Sequence, residues 1–334
     1  MQRPIELPTH HHVVMRNSWN GTGRSAVRSR SVVLSVVLIA LALGCGRPLV
    51  RPTVFEWNPA LELRTAGISE GAIFYAVTGE GPPVLLLHGF GGEIWLWEKQ
   101  VAALSKGYRL YIPDLIGYGY SDRPEVDYTP ALFIASLKQF MDHLGLKRAS
   151  LIGNSMGGGI ALAFALTHPE QVEKLVLIDP IPTDVVHEVR NPSFRWFLAI
   201  RNIPLLPYLA VALHTRGMLR ATLMEMVFDD RLITDAVVER QYRIGRIAGT
   251  ARVMTSTLRH AEEVDRYGGA LGSLVKPTLI IWGDQDEVFP PAVGRKLQRL
   301  IKGSELLAIK GSGHIPMWEH PNETNQAILD FLGR

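Results

Sequence analysis

Apolar residues in this chain fall into short, nearly continuous runs that alternate with longer segments of helical pattern. Short apolar runs bounded by turn residues are typical of strands that are buried on both faces. Because the runs and the helical segments alternate at short spacing, right-handed crossovers and a mostly parallel sheet are predicted. The predicted buried strands are 83–87, 108–113, 149–152, 175–179, 279–282 and 306–309.

Helices are predicted between several of these strands. Thr129 is a suitable N-cap for one of them, and Pro130 takes the first helical position. The runs 61–64 and 72–76, which precede the first buried strand, are predicted to pair as antiparallel strands. The pattern therefore indicates an α/β fold with a doubly wound, mostly parallel sheet. The predicted helices are 95–104, 130–144 and 160–166.

The alternation stops in residues 181–274, which are apolar, helical in pattern and without strand signals. Pro204 and Pro207 interrupt this segment, and it is far longer than an ordinary loop. We predict a helical cap inserted over the carboxyl edge of a core made of 60–180 and 275–334. Most aromatic and methionine side chains of the cap are expected to pack between cap and core.

The chain has 334 residues and a formal net charge of +3, but the positive excess is confined to one end. Residues 1–30 contain five Arg and one Glu, so the remainder has 30 basic and 31 acidic residues. The remainder therefore lacks the excess of basic residues that is typical of a nucleic-acid-binding domain, and no nucleic-acid partner is expected. An apolar content of 47% is sufficient for a sizeable core.

Residues 1–44 are predicted to be a signal peptide. Several arginines precede an uncharged run, 31–44, which is short for a membrane span and suits a signal-peptide core. Cys45 follows Gly44 directly, and this arrangement resembles a bacterial lipobox, which implies lipidation of Cys45. Cleavage after 40–42 and an uncleaved anchor are the alternatives.

The N-terminal prediction has three consequences. The protein is expected in the bacterial cell envelope, either lipid-anchored or secreted, with the membrane as a partner through the lipid. Cys45 is the only cysteine, so no intrachain disulfide can form. Residues 45–59 are predicted to be a Pro-containing tether, and the histidines at 10–12 receive no role because they lie in the predicted leader.

The candidate chemistry starts at the sequence Gly153-Asn154-Ser155-Met156-Gly157, between a predicted strand and a predicted helix. Strand, sharp turn and helix together favour a nucleophile elbow, with Ser155 at the tip of the turn. Gly153 and Gly157 would keep side chains away from the closely approaching helix and strand. Ser69 has the same glycine spacing, but a strand follows it, so we interpret it as a turn residue.

Five segments in the same order resemble the α/β-hydrolase family, and the resemblance extends from about residue 60 to the end. It implies a serine hydrolase whose chain order of nucleophile, acid and base is Ser, Asp, His. The segments that carry the resemblance are 88–90, 114–122, 153–157, 283–290 and 311–314.

The resemblance assigns the catalytic roles to three side chains. Ser155 would attack a carbonyl carbon, His314 would take its proton, and Asp286 would orient the imidazole. Asp284 and Asp179 are rivals for the acid: Asp284 follows its strand closely, and Asp179 stands where some relatives carry the acid.

The oxyanion hole is expected to use the backbone N–H groups of Phe90 and Met156. His88 and His320 are expected to be structural. No metal and no organic cofactor is expected, because no sequence pattern suggests one. The glycines at 157–159 are not a phosphate loop, because no Lys-Ser or Lys-Thr follows them in the right place.

Serine at position 155 excludes relatives that use Asp there, such as haloalkane dehalogenases. The preferred prediction is a carboxylesterase or lipase that cleaves small, uncharged esters through an acyl-enzyme. A meta-cleavage C–C hydrolase is an alternative, although 88–92 lacks the usual Gly-x-Gly-Pro-Gly-Ala of that group and Ile315 replaces its usual Trp. A perhydrolase and a non-catalytic hydrolase-like binding protein are the remaining alternatives.

The C–C hydrolase alternative has a specific requirement, since its dienoate substrate carries a carboxylate that needs a cation. Four arginines of the predicted cap are candidates for this cation, and the sequence does not show whether any of them points inward. They are Arg195, Arg201, Arg216 and Arg220.

Overall fold

A computed structural model describes residues 46–334, which form an eight-stranded sheet with the order β1-β2-β4-β3-β5-β6-β7-β8. β2 is antiparallel to both of its neighbours, and the pairs from β4 through β3 to β8 are parallel. The predicted α/β fold with a mostly parallel sheet is confirmed. The strands are β1 (Glu62–Ile68), β2 (Gly71–Thr78), β3 (Pro83–Leu87), β4 (Arg109–Pro113), β5 (Ala149–Asn154), β6 (Val172–Ile178), β7 (Thr278–Gly283) and β8 (Glu305–Ile309).

Helices cover both faces of the sheet, and 3-10 segments occur at 94–97, 169–171, 230–232 and 261–273. The Thr129 hydroxyl accepts the Leu132 N–H at 3.1 Å, and Pro130 begins the helix as its sequence predicts. The helices are α1 (Glu98–Leu104), α2 (Pro130–His143), α3 (Met156–Thr167), α4 (Val185–Glu188), α5 (Pro192–Ile200), α6 (Leu206–Ala212), α7 (Arg216–Met224), α8 (Asp235–Gly245), α9 (Thr250–Arg259), α10 (Pro291–Leu300), α11 (Pro316–Glu319) and α12 (Pro321–Leu332).

The central strands contribute to both faces of the core because their side chains alternate in direction. Leu85 and Leu87 of β3 belong to the cluster under α2, α3 and α10, whereas Leu86 belongs to the cluster under α1 and α12. Every residue of β5 and of β7 is buried. This double burial explains why the strands are continuous apolar runs in the sequence.

Residues 181–274 contain α4–α9 and no strand, as the interruption of the pattern predicts. A third apolar cluster joins this cap to the core through Trp95 and Trp318, whose ring centroids are 5.4 Å apart. Val237 and Val238 of α8 pack in the same cluster. Within the part of the chain that the structure describes, no helix has the length and apolar character needed to cross a membrane.

The segment from 46 to 59, predicted as a tether, lies against the rest of the domain. The backbone of Arg47 pairs with the chain at 246–248, and Arg51 forms an ion pair with Asp122 at 2.5 Å. Phe55 is buried and stacks on Trp57. An aromatic anchor and backbone hydrogen bonds therefore hold a segment whose prolines predict only an extended path. The predicted signal peptide 1–44 and Cys45 lie outside the described residues.

Two buried carboxyl groups belong to the loops that follow β3 and β4. Asp114 follows β4, and its oxygens accept the N–H groups of Ile94 at 2.8 Å and Tyr120 at 2.7 Å. Burial raises the pKa of Asp114 to about 7. Burial and the charge of Asp114 raise the pKa of Glu93 to about 8, although Arg240 opposes this. Both groups therefore bind a proton more tightly in the folded chain than in the unfolded chain.

This proton binding predicts a pH-dependent stability. A carboxyl whose pKa is raised by folding stabilises the fold fully below its unfolded pKa near 4.5, and this contribution is lost as the pH rises through about 8. Glu93→Gln removes one such titration, so its Tm should fall less between pH 5 and pH 9 than the wild-type Tm. Exposed Glu80→Gln is the control, and equal slopes in Glu93→Gln and wild type would contradict the assignment.

Candidate active site

Ser155 sits between β5 and α3 with a φ of 52°, a left-handed conformation that costs free energy for a residue with a side chain. The neighbouring glycines allow the close contact that imposes it. A Cβ on Gly153 would lie 2.3 Å from the Gly157 oxygen, and a Cβ on Gly157 would lie 2.2 Å from the Leu87 oxygen. Both glycines are therefore needed for the sharp turn, and Ser69 lies in the ordinary turn between β1 and β2.

The structure brings together Ser155, His314 and Asp286, which are far apart in sequence. His314 Nε2 is 2.9 Å from Ser155 Oγ, and His314 Nδ1 is 2.8 Å from Asp286 Oδ2. All three residues are buried. The second oxygen of Asp286 accepts the N–H groups of Val288 at 2.7 Å and Phe289 at 3.2 Å. The carboxylate is therefore held in place while its other oxygen faces the imidazole.

The rival acids occupy other positions. Asp284 accepts the Gly311 N–H at 2.7 Å and so holds the start of the histidine loop. Asp179 is fully buried beside the site, and its Oδ1 accepts the Gly283 N–H at 2.9 Å. Burial, followed by the charge of Asp286, raises the pKa of Asp179 well above its ordinary value. Burial and the neighbouring Asp286 therefore favour the protonated form of Asp179.

Asp179, Asp286 and His314 also have the proximity of metal ligands, with one ligand atom of each lying within 4.8 Å of the others. Two of the three, however, already bond to each other, and His314 also faces Ser155. This mutual bonding is what a proton-transfer cluster requires, and we interpret it so. The absence of a metal and of a cofactor remains a prediction.

The loop that carries His314 is braced by residues that the sequence patterns do not single out. The Glu319 carboxylate accepts the Gly313 N–H at 2.7 Å and, through its other oxygen, the Phe228 N–H at 2.7 Å. The backbone N–H of His314 donates to the backbone oxygen of Met226 at 2.9 Å. Asn154, inside the elbow motif, donates to the His314 oxygen at 3.2 Å. No spacing in the sequence links these residues, because each contact joins different segments.

The loop after β3 lies against the elbow, where a Cβ on Gly89 would be 3.1 Å from the Ser155 Cβ. His88 holds this loop, since its Nε2 accepts the Leu115 N–H at 3.0 Å and its Nδ1 is 2.8 Å from the Gly89 oxygen. Burial lowers the pKa of His88 to about 4, so the ring is neutral near pH 7. This structural role agrees with the expectation for His88. His320, also expected to be structural, bonds the Gly311 oxygen at 2.9 Å.

Two cavities meet at Ser155. The smaller, of about 90 Å³, is apolar and is lined by α2, α3, cap residues such as Leu198, and Met156. The larger, of about 200 Å³, extends between the core loops and the cap helices α6–α9. Phe90 and Phe194 line both cavities, and their ring centroids are 5.9 Å apart. A substrate that reacts at Ser155 can therefore place one part in the apolar cavity and the other part in the larger cavity, whose lining is both polar and apolar.

The four cap arginines considered above do not line the larger cavity, whereas Arg123 and Arg246 do. Arg195 is exposed, and the others form ion pairs with Glu262, Glu239 and Asp235. Arg123, from the loop after β4, lines the larger cavity. In residues 46–334, no carboxylate lies within ion-pair distance of its guanidinium, which bonds the Gly119 oxygen at 2.7 Å. Burial lowers the pKa of Arg123 only to about 10, so it remains charged near pH 7.

Comparison with known proteins identifies the family of the chain. Residues 82–321 match the family profile described as alpha/beta hydrolase fold. A 2-hydroxy-6-oxo-6-phenylhexa-2,4-dienoate hydrolase from Burkholderia cepacia is 32% identical over 277 residues, covering 80% of this chain and 93% of the relative.

Solved structures of hydrolases are also similar to this chain. A meta-cleavage product hydrolase from Pseudomonas fluorescens is 26% identical, with a TM-score of 0.71, and the match covers 81% of this chain and 97% of that one. A bacterial membrane phospholipase A is 25% identical, with a TM-score of 0.68, and the match covers 93% of this chain and 97% of that one.

Ser155→Ala tests the predicted nucleophile. The change removes one oxygen from an almost buried position, so the Tm should stay close to that of wild type. Turnover of an accepted substrate should fall by about 10³-fold or more, and labelling by a fluorophosphonate probe should disappear. Ser69→Ala, in the other Gly-x-Ser-x-Gly sequence, is the matched control. A labelled Ser155→Ala protein would refute the role of Ser155.

Asp286→Asn and Asp179→Asn separate the two candidate acids. Asp286→Asn should lower kcat by about 10³- to 10⁴-fold, because the amide cannot stabilise the imidazolium in the same way. Asp179→Asn should retain most activity, since Asp179 makes no hydrogen bond to the imidazole. Steady-state kinetics with a Tm check on both variants would decide, and the opposite ranking would identify Asp179 as the acid.

Proposed function

Because the chain belongs to the alpha/beta hydrolase fold family and is a hydrolase, we propose that Ser155, His314 and Asp286 are its catalytic triad. Ser155 Oγ attacks a carbonyl carbon while His314 Nε2 takes its proton, and Asp286 stabilises the imidazolium that forms. The backbone N–H groups of Phe90 and Met156 bind the oxyanion. Within the described residues neither group donates a hydrogen bond, which supports this assignment.

We propose further that the substrate is a 2-hydroxy-6-oxo-dienoate whose C–C bond is cleaved beside the 6-oxo carbon. This replaces our preference for uncharged esters, because the similar named relatives act on such dienoates. The observation that carries the proposal is the pair of cavities at Ser155, one apolar and one containing Arg123. The dienoate has matching ends, with an apolar substituent on the 6-oxo carbon and a carboxylate at the other end.

The same triad chemistry serves this reaction. The substrate first tautomerises, in that its 2-hydroxyl loses a proton and C5 gains one, which gives the 2,6-dioxo form with a double bond between C3 and C4. When Ser155 then adds to the 6-oxo carbon, the electron pair of the C5–C6 bond leaves with the dienoate fragment and delocalises through that double bond onto the 2-oxo oxygen. That fragment accepts a proton from His314 and departs, and the acyl group remains on Ser155. Water, activated by His314, then releases a carboxylic acid. Arg123 would bind the carboxylate through charge-assisted hydrogen bonds and hold the fragment as charge develops.

Ester hydrolysis is the second candidate, and a specific observation favours it. Ile315 follows His314 and lines the larger cavity, where the C–C hydrolases usually carry Trp. The likeness to a membrane phospholipase A covers more of the chain than the likeness to the meta-cleavage hydrolase. An ester needs no cation, so both cavities could bind apolar groups on either side of the carbonyl.

One kinetic comparison distinguishes the two candidates. Purified protein is assayed with 2-hydroxy-6-oxo-6-phenylhexa-2,4-dienoate, by loss of its visible absorbance, and with p-nitrophenyl esters of increasing acyl length. We expect the higher kcat/KM on the dienoate. A negligible rate on the dienoate, with ester kcat/KM rising with chain length as each buried methylene adds about 0.8 kcal/mol, would establish the ester candidate instead.

Arg123→Gln tests the cation. Losing a charged hydrogen bond to a carboxylate costs about 1.5–3 kcal/mol, so kcat/KM on the dienoate should fall about 10- to 150-fold. Activity on an uncharged ester should change much less, and Arg123→Lys should recover part of the dienoate activity. Since Arg123 also bonds Gly119 and Thr250, an equal loss on both substrates would indicate a purely structural role.

A further inference from the structure

The cap has an exposed apolar surface on the segment that contains α5, α6 and α7. Six of the twelve large apolar side chains that are exposed in residues 46–334 lie within 196–218. Exposed apolar residues concentrated in this way indicate a contact surface, because single ones are normally scattered. We call this set the outer cap face, and it comprises Trp196, Ile203, Leu205, Leu206, Leu213 and Met218.

Packing inside the cap does not account for these side chains. The inward residues of the same helices, such as Phe197 of α5 and Val211 of α6, already line the larger cavity beside Ser155. On α7, Leu219 and Leu223 point inward, whereas Met218 is 49% exposed. A helix on the surface of a water-soluble domain normally has a polar outer side. The segment therefore has exposed apolar side chains on its outer side as well as apolar side chains facing the cavity, and the exposed ones need a partner of their own.

The charge of the segment indicates the chemistry of that partner. Residues 189–224 contain five Arg and no Asp or Glu. Arg201, Arg216 and Arg220 pair with acids from other parts of the cap, which leaves Arg190 and Arg195 without an acidic partner among the described residues. Trp, Leu and Ile accompanied by Arg are typical of helices that lie in a membrane interface, where the Arg side chains meet anionic headgroups.

The first described residues lie against the same helices. Arg47 pairs with 246–248, immediately before α9, and α9 packs on α6. Arg246 also donates to the oxygen of Ala212, at the end of α6. The segment that begins at residue 46 is therefore attached to the domain at the cap helices.

We propose that the outer cap face docks on a lipid surface that contains anionic headgroups, with Trp196 in the interface. This goes beyond the proposed hydrolase activity, and it holds whichever substrate the enzyme accepts. The partner is a bilayer rather than a second copy of the chain, because the net positive charge of the segment would repel its own copy. The same charge attracts a surface of phosphatidylglycerol.

Quenching by brominated lipid tests the docking. Full-length protein is mixed with vesicles of phosphatidylcholine and phosphatidylglycerol that carry bromine on their acyl chains, and tryptophan fluorescence is measured. We expect quenching in wild type, most of which disappears in Trp196→Phe and remains in Trp57→Phe. Quenching should weaken in vesicles of phosphatidylcholine alone. Equal quenching in wild type and Trp196→Phe would overturn the proposal.

Two polar variants supply an independent test. Leu213→Ser and Met218→Ser should reduce quenching, and their turnover of a soluble substrate should match that of wild type. Val275→Ser, an exposed apolar residue outside the segment, is the control and should leave quenching unchanged. Unaltered quenching in both variants would overturn the proposal, as would a dimer in solution that these variants dissociate. Absent turnover in every protein, wild type included, would refute only the hydrolase assignment.

Discussion

The contact between the start of α3 and the ends of β3 and β5 is so close that no side chain fits between them. A Cβ at Gly153 or at Gly157 would lie well inside the contact distance of backbone atoms. This contact imposes the left-handed conformation of Ser155, at a cost of about 1–3 kcal/mol. The same conformation places the Ser155 hydroxyl at the carboxyl edge of the sheet, in front of the N–H groups at the start of α3. The functions of the other site residues depend on where they lie relative to this hydroxyl.

The imidazole reaches Ser155 from a loop that contains little regular structure. Its position depends on Asp286, Asn154 and Glu319, which come from three other segments. Glu319 and the His314 N–H also bond the chain at 226–228, which belongs to the cap. The cap and the catalytic loop are thus one hydrogen-bonded unit on this side. Movement of that part of the cap would disturb His314 directly.

Charge is distributed unevenly around the site. Asp179, Asp114 and Glu93 are buried carboxyl groups whose pKa values are raised by burial. The Asp286 carboxyl group accepts hydrogen bonds from backbone N–H groups and lies 2.8 Å from His314 Nδ1. Arg123 retains a positive charge in the larger cavity, and the outer cap face lies in a segment with five Arg and no acidic residue. We propose that the cavity binds a substrate carboxylate and that the outer cap face docks on anionic lipid.

Local patterns in the sequence determine the strands, the capped helix at Thr129, the elbow at 153–157 and the extent of the helical insertion. Each depends on neighbours in the chain, so periodicity and turn residues are sufficient to predict it. The family resemblance already favours Asp286 over Asp179, whereas the position of Arg123 in the larger cavity and the bracing by Glu319 depend on contacts between distant segments. The same is true of Phe55, which anchors a segment predicted as a tether. Such contacts arise only when the sheet and the cap pack together, because packing decides which of several similar side chains faces the site and which faces solvent.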